Sequence, residues 1–137
     1  MEEHRPKTVE DLRSLGVRLK WIGWGSFRQV YKVRGLPIVV KFPHHGDPKH
    51  SRTEMRRIEK LRKIPTIRRH LPKIFYYDKT SGVIVTPYYK KRSPDVRQCL
   101  DLIARLLGHI GVRTTDLRLA NVRSLAYGFP VFVDLGY

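Results

Sequence analysis

Asp116-Leu117-Arg118-Leu119-Ala120-Asn121, followed by Val131-Phe132-Val133-Asp134-Leu135-Gly136, is the stretch on which the reading of this chain turns. An Asp is followed five positions on by an Asn, and thirteen positions later an apolar run ends in a second Asp before Leu-Gly. Taken singly, Asp116 and Asn121 are turn formers and Asp134 is a carboxylate at a strand end. Taken together, they are oxygen donors of the kind hard cations such as Mg²⁺ accept, one or two carboxylates beside substrate phosphates. The rest of the chain has to decide between these readings.

Working back from this stretch, Ser93-Pro94 opens a helix in which Val96, Leu100, Ile103, Leu107 and Ile110 recur at helical spacing, with Gly108 and Gly111 marking its end. Beyond it, Asn121 to Ser124 and Pro130 to Val133 flank a turn at Tyr127-Gly128, a short hairpin. Before it, strands at Lys73 to Tyr77 and Val83 to Thr86 surround the turn Asp78 to Gly82. Asp47-Pro48 supplies an N-cap and a first-turn proline for a helix running to about Lys63. Alternating apolar residues predict three earlier strands, Arg18 to Ile22, Gln29 to Val33 and Ile38 to Phe42. Thr8-Val9-Glu10-Asp11 starts a first helix that Gly16 stops. The order is α+β, with one antiparallel sheet carrying a helix.

Three upstream features bear on the chemistry. Ile22-Gly23-Trp24-Gly25-Ser26-Phe27-Arg28-Gln29-Val30 joins two strands, which argues against a dinucleotide-binding fingerprint, since that needs a helix after the loop. Glycines there let backbone amides approach a phosphate without a Cβ in the way, although an ordinary hairpin turn explains any lone Gly-x-Gly. Arg28 takes the place of a third glycine and could bring a cation to the loop. Lys41 closes the apolar run Ile38-Val39-Val40 and either snorkels from a sheet edge or faces inward. Glu54 shares a helix face with Ile58 and Leu61, so it needs a partner, whereas Glu59 lies about 140° around the helix and faces solvent. Ser51-Arg52-Thr53-Glu54 also reads as a capping box, but Asp47-Pro48 already provides a start one turn earlier.

The glycine hairpin, Lys41, Glu54, Asp116, Asn121 and Asp134 occur in an order and on elements that resemble the protein-kinase-like superfamily, over about Leu19 to Gly136. The resemblance implies a kinase-like fold reduced to a five-stranded antiparallel N-lobe with its helix (about 17–89, with the hinge) and a minimal helical C-lobe (93–137), as one domain. It implies ATP and Mg²⁺ as cofactors. Gly23, Gly25, Ser26, Val30, Lys41, Glu54, Thr86 and Tyr88 would bind ATP, with Thr86 as gatekeeper and Pro87-Tyr88-Tyr89 as hinge. Asn121 and Asp134 would hold the metal, Asp116 would accept the proton of an alcohol acceptor of the Ser/Thr type, and Arg118 would meet the γ-phosphate where kinases usually carry Lys. Thr114-Thr115 replaces the usual His-Arg, and the chain stops at Tyr137. The resemblance then implies an enzyme without an activation segment or substrate-docking lobe, with its own chain as an expected acceptor, similar to shortened kinase effectors of bacterial pathogens and to small bacterial kinase-like proteins. The alternative is a non-catalytic kinase-like binding module.

Composition frames both readings. The chain has 137 residues, 28 Lys and Arg, 12 Asp and Glu, and a formal charge of +16, which predicts salt-sensitive attraction to anions. Arg52, Arg56, Lys60 and Lys63 form a basic stripe, continued by Arg57, Arg62, Arg68, Arg69 and Lys73, a docking face for an acidic protein or a nucleic acid. The single Cys99 allows no intrachain disulfide, no run reaches membrane-spanning length, and the first residues show no apolar signal region, so a cytoplasmic protein is expected.

Overall fold

The computed structural model describes residues 8–24 and 28–89, together with strand segments 91–92, 122–124 and 130–132. The chain divides into two compact units, Met1–Arg52 with Ile74–Tyr88, and Thr53–Lys73 with Tyr89–Tyr137.

The first unit begins with α1 (Val9–Ser14), whose start is the expected capping box. Thr8 Oγ1 accepts the Asp11 N–H at 3.1 Å, and Asp11 Oδ2 accepts the Thr8 N–H at 3.0 Å. Five strands follow, β1 (Leu19–Trp24), β2 (Arg28–Val33), β3 (Ile38–Pro43), β4 (Tyr76–Tyr77) and β5 (Ile84–Pro87). They form one antiparallel sheet in the order β1-β2-β3-β5-β4. Because side chains alternate along a strand, each face collects every second residue. Val40, Phe42 and Val83 form the core on one face, with Tyr31, Val33 and Val85 beside them and Val9 and Leu12 of α1 packed on top. The Tyr31 and Phe42 rings meet edge-on at 6.0 Å.

The β4–β5 turn is held from three sides. Asp78 Oδ1 accepts the Thr80 N–H at 2.9 Å, the Asp78 carbonyl accepts the Gly82 N–H at 2.8 Å, and the Val83 carbonyl accepts the Asp78 N–H at 3.0 Å. Gly82 is left-handed (φ +79°), and a Cβ there would lie 2.8 Å from Pro43 Cγ and from Pro48 Cα. Here only glycine fits, for both conformation and space. After β3, a 3-10 turn at His44–Gly46 leads to α2 (Lys49–Arg62). Asp47 Oδ1 accepts the Lys49 N–H at 3.0 Å, the start that Asp47-Pro48 predicts.

In the second unit, Ile58, Leu61 and Ile67 are fully buried. Ile67 belongs to α3 (Pro65–Arg68), a single turn opened by Pro65. A separate sheet joins β6 (Lys91–Arg92), β7 (Val122–Ser124) and β8 (Pro130–Phe132) in sequence order, all antiparallel. The hairpin expected at 121–133 is therefore present as β7 and β8, and β6 is an addition. The strand expected over Lys73 to Tyr77 is shortened to Tyr76–Tyr77, and the helix expected to Lys63 ends at Arg62 before the separate turn of α3. The helix expected from Ser93 lies outside the described residues.

Candidate functional site

The face of the sheet opposite the α1 core carries the candidate residues. Its register runs in one row: Gly23 opposite Val30, Val30 opposite Lys41, Lys41 opposite Ile84, and Ile84 opposite Tyr77. Residues directly opposite in antiparallel strands share a face, so Val30 and Lys41 project together, and Val39 and Thr86 form the next row along. Gly23 reaches this row through a β-bulge. Trp21 faces Tyr31, yet Gly23, two positions on, faces the adjacent Val30, which leaves Ile22 as the extra residue.

Lys41 is only 5% exposed. It therefore does not snorkel from an edge; it sits on the central strand β3 between β2 and β5 and has a polar partner. Arg28, one turn of the strand pleat before Val30, lies on the same face and is 3% exposed, also with a partner. Arg28 and Lys41 are diagonal neighbours across β2 and β3, a separation of roughly 7–8 Å between backbone positions. Two cationic side chains are thus held away from water on one face, beside buried Val39, Ile84 and Thr86. In the sequence Arg28 stands where a third glycine would complete the loop pattern. The signal for the face it occupies, though not for its burial, is its phase, two positions before Val30 in an alternating strand.

Gly23 itself is unconstrained by folding. Its φ is not positive, and a Cβ there would meet nothing within 4 Å among the described residues. Thr86 is buried and its Oγ1 donates to the Pro87 carbonyl at 3.1 Å. The Tyr88 N–H donates to the Pro37 carbonyl at 2.9 Å, and Lys32 Nζ stands 5.4 Å from the Tyr88 ring centroid. These contacts fix the segment after β5 against the start of β3.

On α2, Glu54 is 1% exposed and has a partner, whereas Glu59 is exposed, as their positions around the helix predict. The capping-box alternative for Glu54 does not hold: Ser51 lies inside the helix, and its buried Oγ has no hydrogen-bond partner among the described residues. Arg52, Arg56, Lys60 and Lys63 are all exposed. Arg52 nevertheless has a structural task, since its Nε and Nη2 donate to the Lys79 carbonyl at 3.4 and 3.3 Å. Arg56 reaches Thr53 Oγ1 at 3.4 Å, while Lys60 and Lys63 complete the outward stripe.

The acidity of Tyr89 is shifted by its surroundings. Burial raises its pKa above the ordinary value of 10.0, and the hydrogen bond its oxygen accepts from the Lys73 N–H, at 3.0 Å, pulls the other way. Asp116, Arg118, Asn121 and Asp134, and Gly25 and Ser26 of the loop, lie outside the described residues. Among the described residues, no group of three or more His, Cys, Asp or Glu side chains is placed to hold a metal ion.

No family model matches the chain, and no curated protein matches it significantly. Among solved structures it is similar to that of the streptomycin–ATP–APH(2'')-IIa ternary complex, at 15% identity and a TM-score of 0.39, over 64% of this chain and 29% of that one. The chain thus spans less than a third of the length of that protein.

Proposed function

We propose that the chain is a protein-kinase-like phosphotransferase that binds ATP on the Lys41 face of its five-stranded sheet. The observation that carries this reading is the burial of Lys41 and Arg28 together on one face, in register with Gly23 at the glycine hairpin. A face that holds two cations away from water favours a polyanion over a neutral ligand. Val30 and Val39 on the same face suit a flat aromatic base. The glycine at position 23, which folding does not require, leaves room for backbone amides to approach phosphate oxygens.

On this reading Lys41 contacts the phosphates, and Glu54 is the carboxylate assigned to orient it. Asp116 accepts the proton of the acceptor hydroxyl, and Arg118 meets the γ-phosphate. Asn121 and Asp134 hold Mg²⁺, which neutralises charge on the phosphates. Thr86 and Tyr88 border the base. Thermal melting with ATP, with and without Mg²⁺, tests the binding: ligand at about a hundred times its Kd stabilises by roughly 2.7 kcal/mol, a shift of several degrees. Lys41→Met should abolish the shift, and Asp134→Ala should abolish its Mg²⁺-dependent part. Transfer of label from γ-labelled ATP, lost in Asp116→Ala, tests the enzyme. An unshifted wild-type melt sinks the whole reading.

A second reading keeps the fold and drops the chemistry. Apart from Glu59, the exposed charges on α2 are basic, at Lys49, Arg52, Arg56, Lys60 and Arg62. A binding module would present this stripe to an acidic protein or a nucleic acid. Nucleotide-induced stabilisation without label transfer, and polyanion affinity that falls steeply with salt, would favour it.

A further inference from the structure

At the end of the sheet away from the glycine hairpin, a groove of about 660 Å³ is lined by Arg13, Gly16, Val17, Arg18, Leu19 and Arg34. β1 runs from this groove to the hairpin, so the two lie roughly 17 Å apart along a six-residue strand. Three elements deliver the three arginines: the last turn of α1, the entry to β1, and the turn after β2. The Arg34 N–H donates to the Arg18 carbonyl at 2.9 Å, which ties two of these backbone positions together. Among the described residues no carboxylate lines the groove; Glu10 reaches Arg13 Nη1 at 3.3 Å, between exposed side chains. Planar guanidiniums match the paired oxygens of phosphate and of carboxylate groups, so the three arginines favour an anion.

A second observation concerns the turns on either side. Leu15, in the α1–β1 turn, is 68% exposed, and Leu36, in the β2–β3 turn that also carries Arg34, is 51% exposed. Large aliphatic side chains at two turn tips, at the same end of the sheet as an arginine-lined groove, fit neither a free anion nor a solvated loop. They fit a surface that offers phosphate at one depth and hydrocarbon just below it.

We infer that this end of the sheet is a peripheral docking surface for anionic phospholipid. Arg13, Arg18 and Arg34 take headgroup phosphates while Leu15 and Leu36 enter the headgroup–acyl boundary. This places a membrane-surface activity beside the proposed nucleotide face and independent of it.

The test is co-sedimentation of the full chain with phosphatidylcholine vesicles, with and without phosphatidylserine. Since a charge of +16 attracts any anionic surface, the variant R13Q/R18Q/R34Q is compared with an equal-charge variant, K60Q/R68Q/R69Q. Each basic side chain at such a surface is worth roughly fivefold in partition, so the groove variant should lose on the order of a hundredfold. The equal-charge variant should lose far less. L15S/L36S, at exposed positions, should keep its Tm and lose on the order of tenfold. Equal losses in the two charge variants would overturn the proposal in favour of whole-molecule attraction. Undiminished vesicle binding by L15S/L36S, with Arg-dependent binding of inorganic polyphosphate, would overturn it in favour of a soluble anion. The ATP-induced melting shift of R13Q/R18Q/R34Q reads the nucleotide face separately and should match the wild type.

Discussion

At Gly23 the needs of folding and of the proposed nucleotide binding point in opposite directions. A glycine inside a strand costs about 0.5–1 kcal/mol relative to alanine, and among the described residues nothing within 4 Å prevents a Cβ there. Gly23→Ala should therefore raise the ligand-free Tm or leave it unchanged, while shrinking the shift produced by ATP. A variant that melts lower without ligand, or that keeps the full ATP shift, would contradict this. Tyr89 gives a second residue-scale expectation. Its folded pKa stands above that of an unfolded tyrosine, so the native state holds the phenolic proton longer as pH rises. The corresponding stability is complete below about pH 10 and is lost as pH climbs from there through the folded pKa. Melting curves from about pH 8 to about pH 11 should fall more steeply for wild type than for Tyr89→Phe. That substitution also strips the Lys73 N–H of its acceptor, so at neutral pH it should cost about 1 kcal/mol.

Among the elements, the β4–β5 turn is the least tolerant. Gly82→Ala combines a left-handed backbone with a Cβ 2.8 Å from two proline atoms, so it should destabilise by about 2–4 kcal/mol, readable in urea unfolding. A loss within experimental error would mean the turn can relax. The elements that were legible in the sequence are those with a period or a cap: α1 from Thr8 and Asp11, β1 to β3 from alternation, and α2 from Asp47-Pro48. α3 and β6 were not, because four and two residues are too few to show a period; Pro65 at a first helical position was the one available clue to α3. The bulge at Ile22 left a trace, two apolar residues in succession at Trp21-Ile22, which alternation alone cannot resolve. Of the candidate site, the opposite fates of Glu54 and Glu59 followed from position on the helix, whereas the strand pattern left Lys41 open between an edge and an inward position until the sheet order placed β3 in the interior. The burial of Arg28 did not, since composition places arginine outside and only tertiary packing holds it in.

For the whole molecule, a formal charge of +16 over 137 residues means that the compact state works against its own field. Adding sodium chloride at fixed pH shortens the range of that repulsion and should raise the Tm by a few degrees. Sulfate, which binds cationic clusters, should do more at equal ionic strength. A Tm that falls with salt would show that attractive charge pairs outweigh repulsion in this fold.

The bulge at Ile22 has a further consequence. β1 is an outer strand of the sheet and exposes Lys20, Trp21 and Ile22, while the opposite border, β4, is only two residues long. A long, flat, apolar border invites another chain to add itself as the next strand, and repetition of that step builds fibres. A lysine and a kink interrupt β1 where such growth would begin. Among the described residues, the irregularity that brings Gly23 into line with Lys41 thereby also breaks the regular border on which an added strand would have to pair.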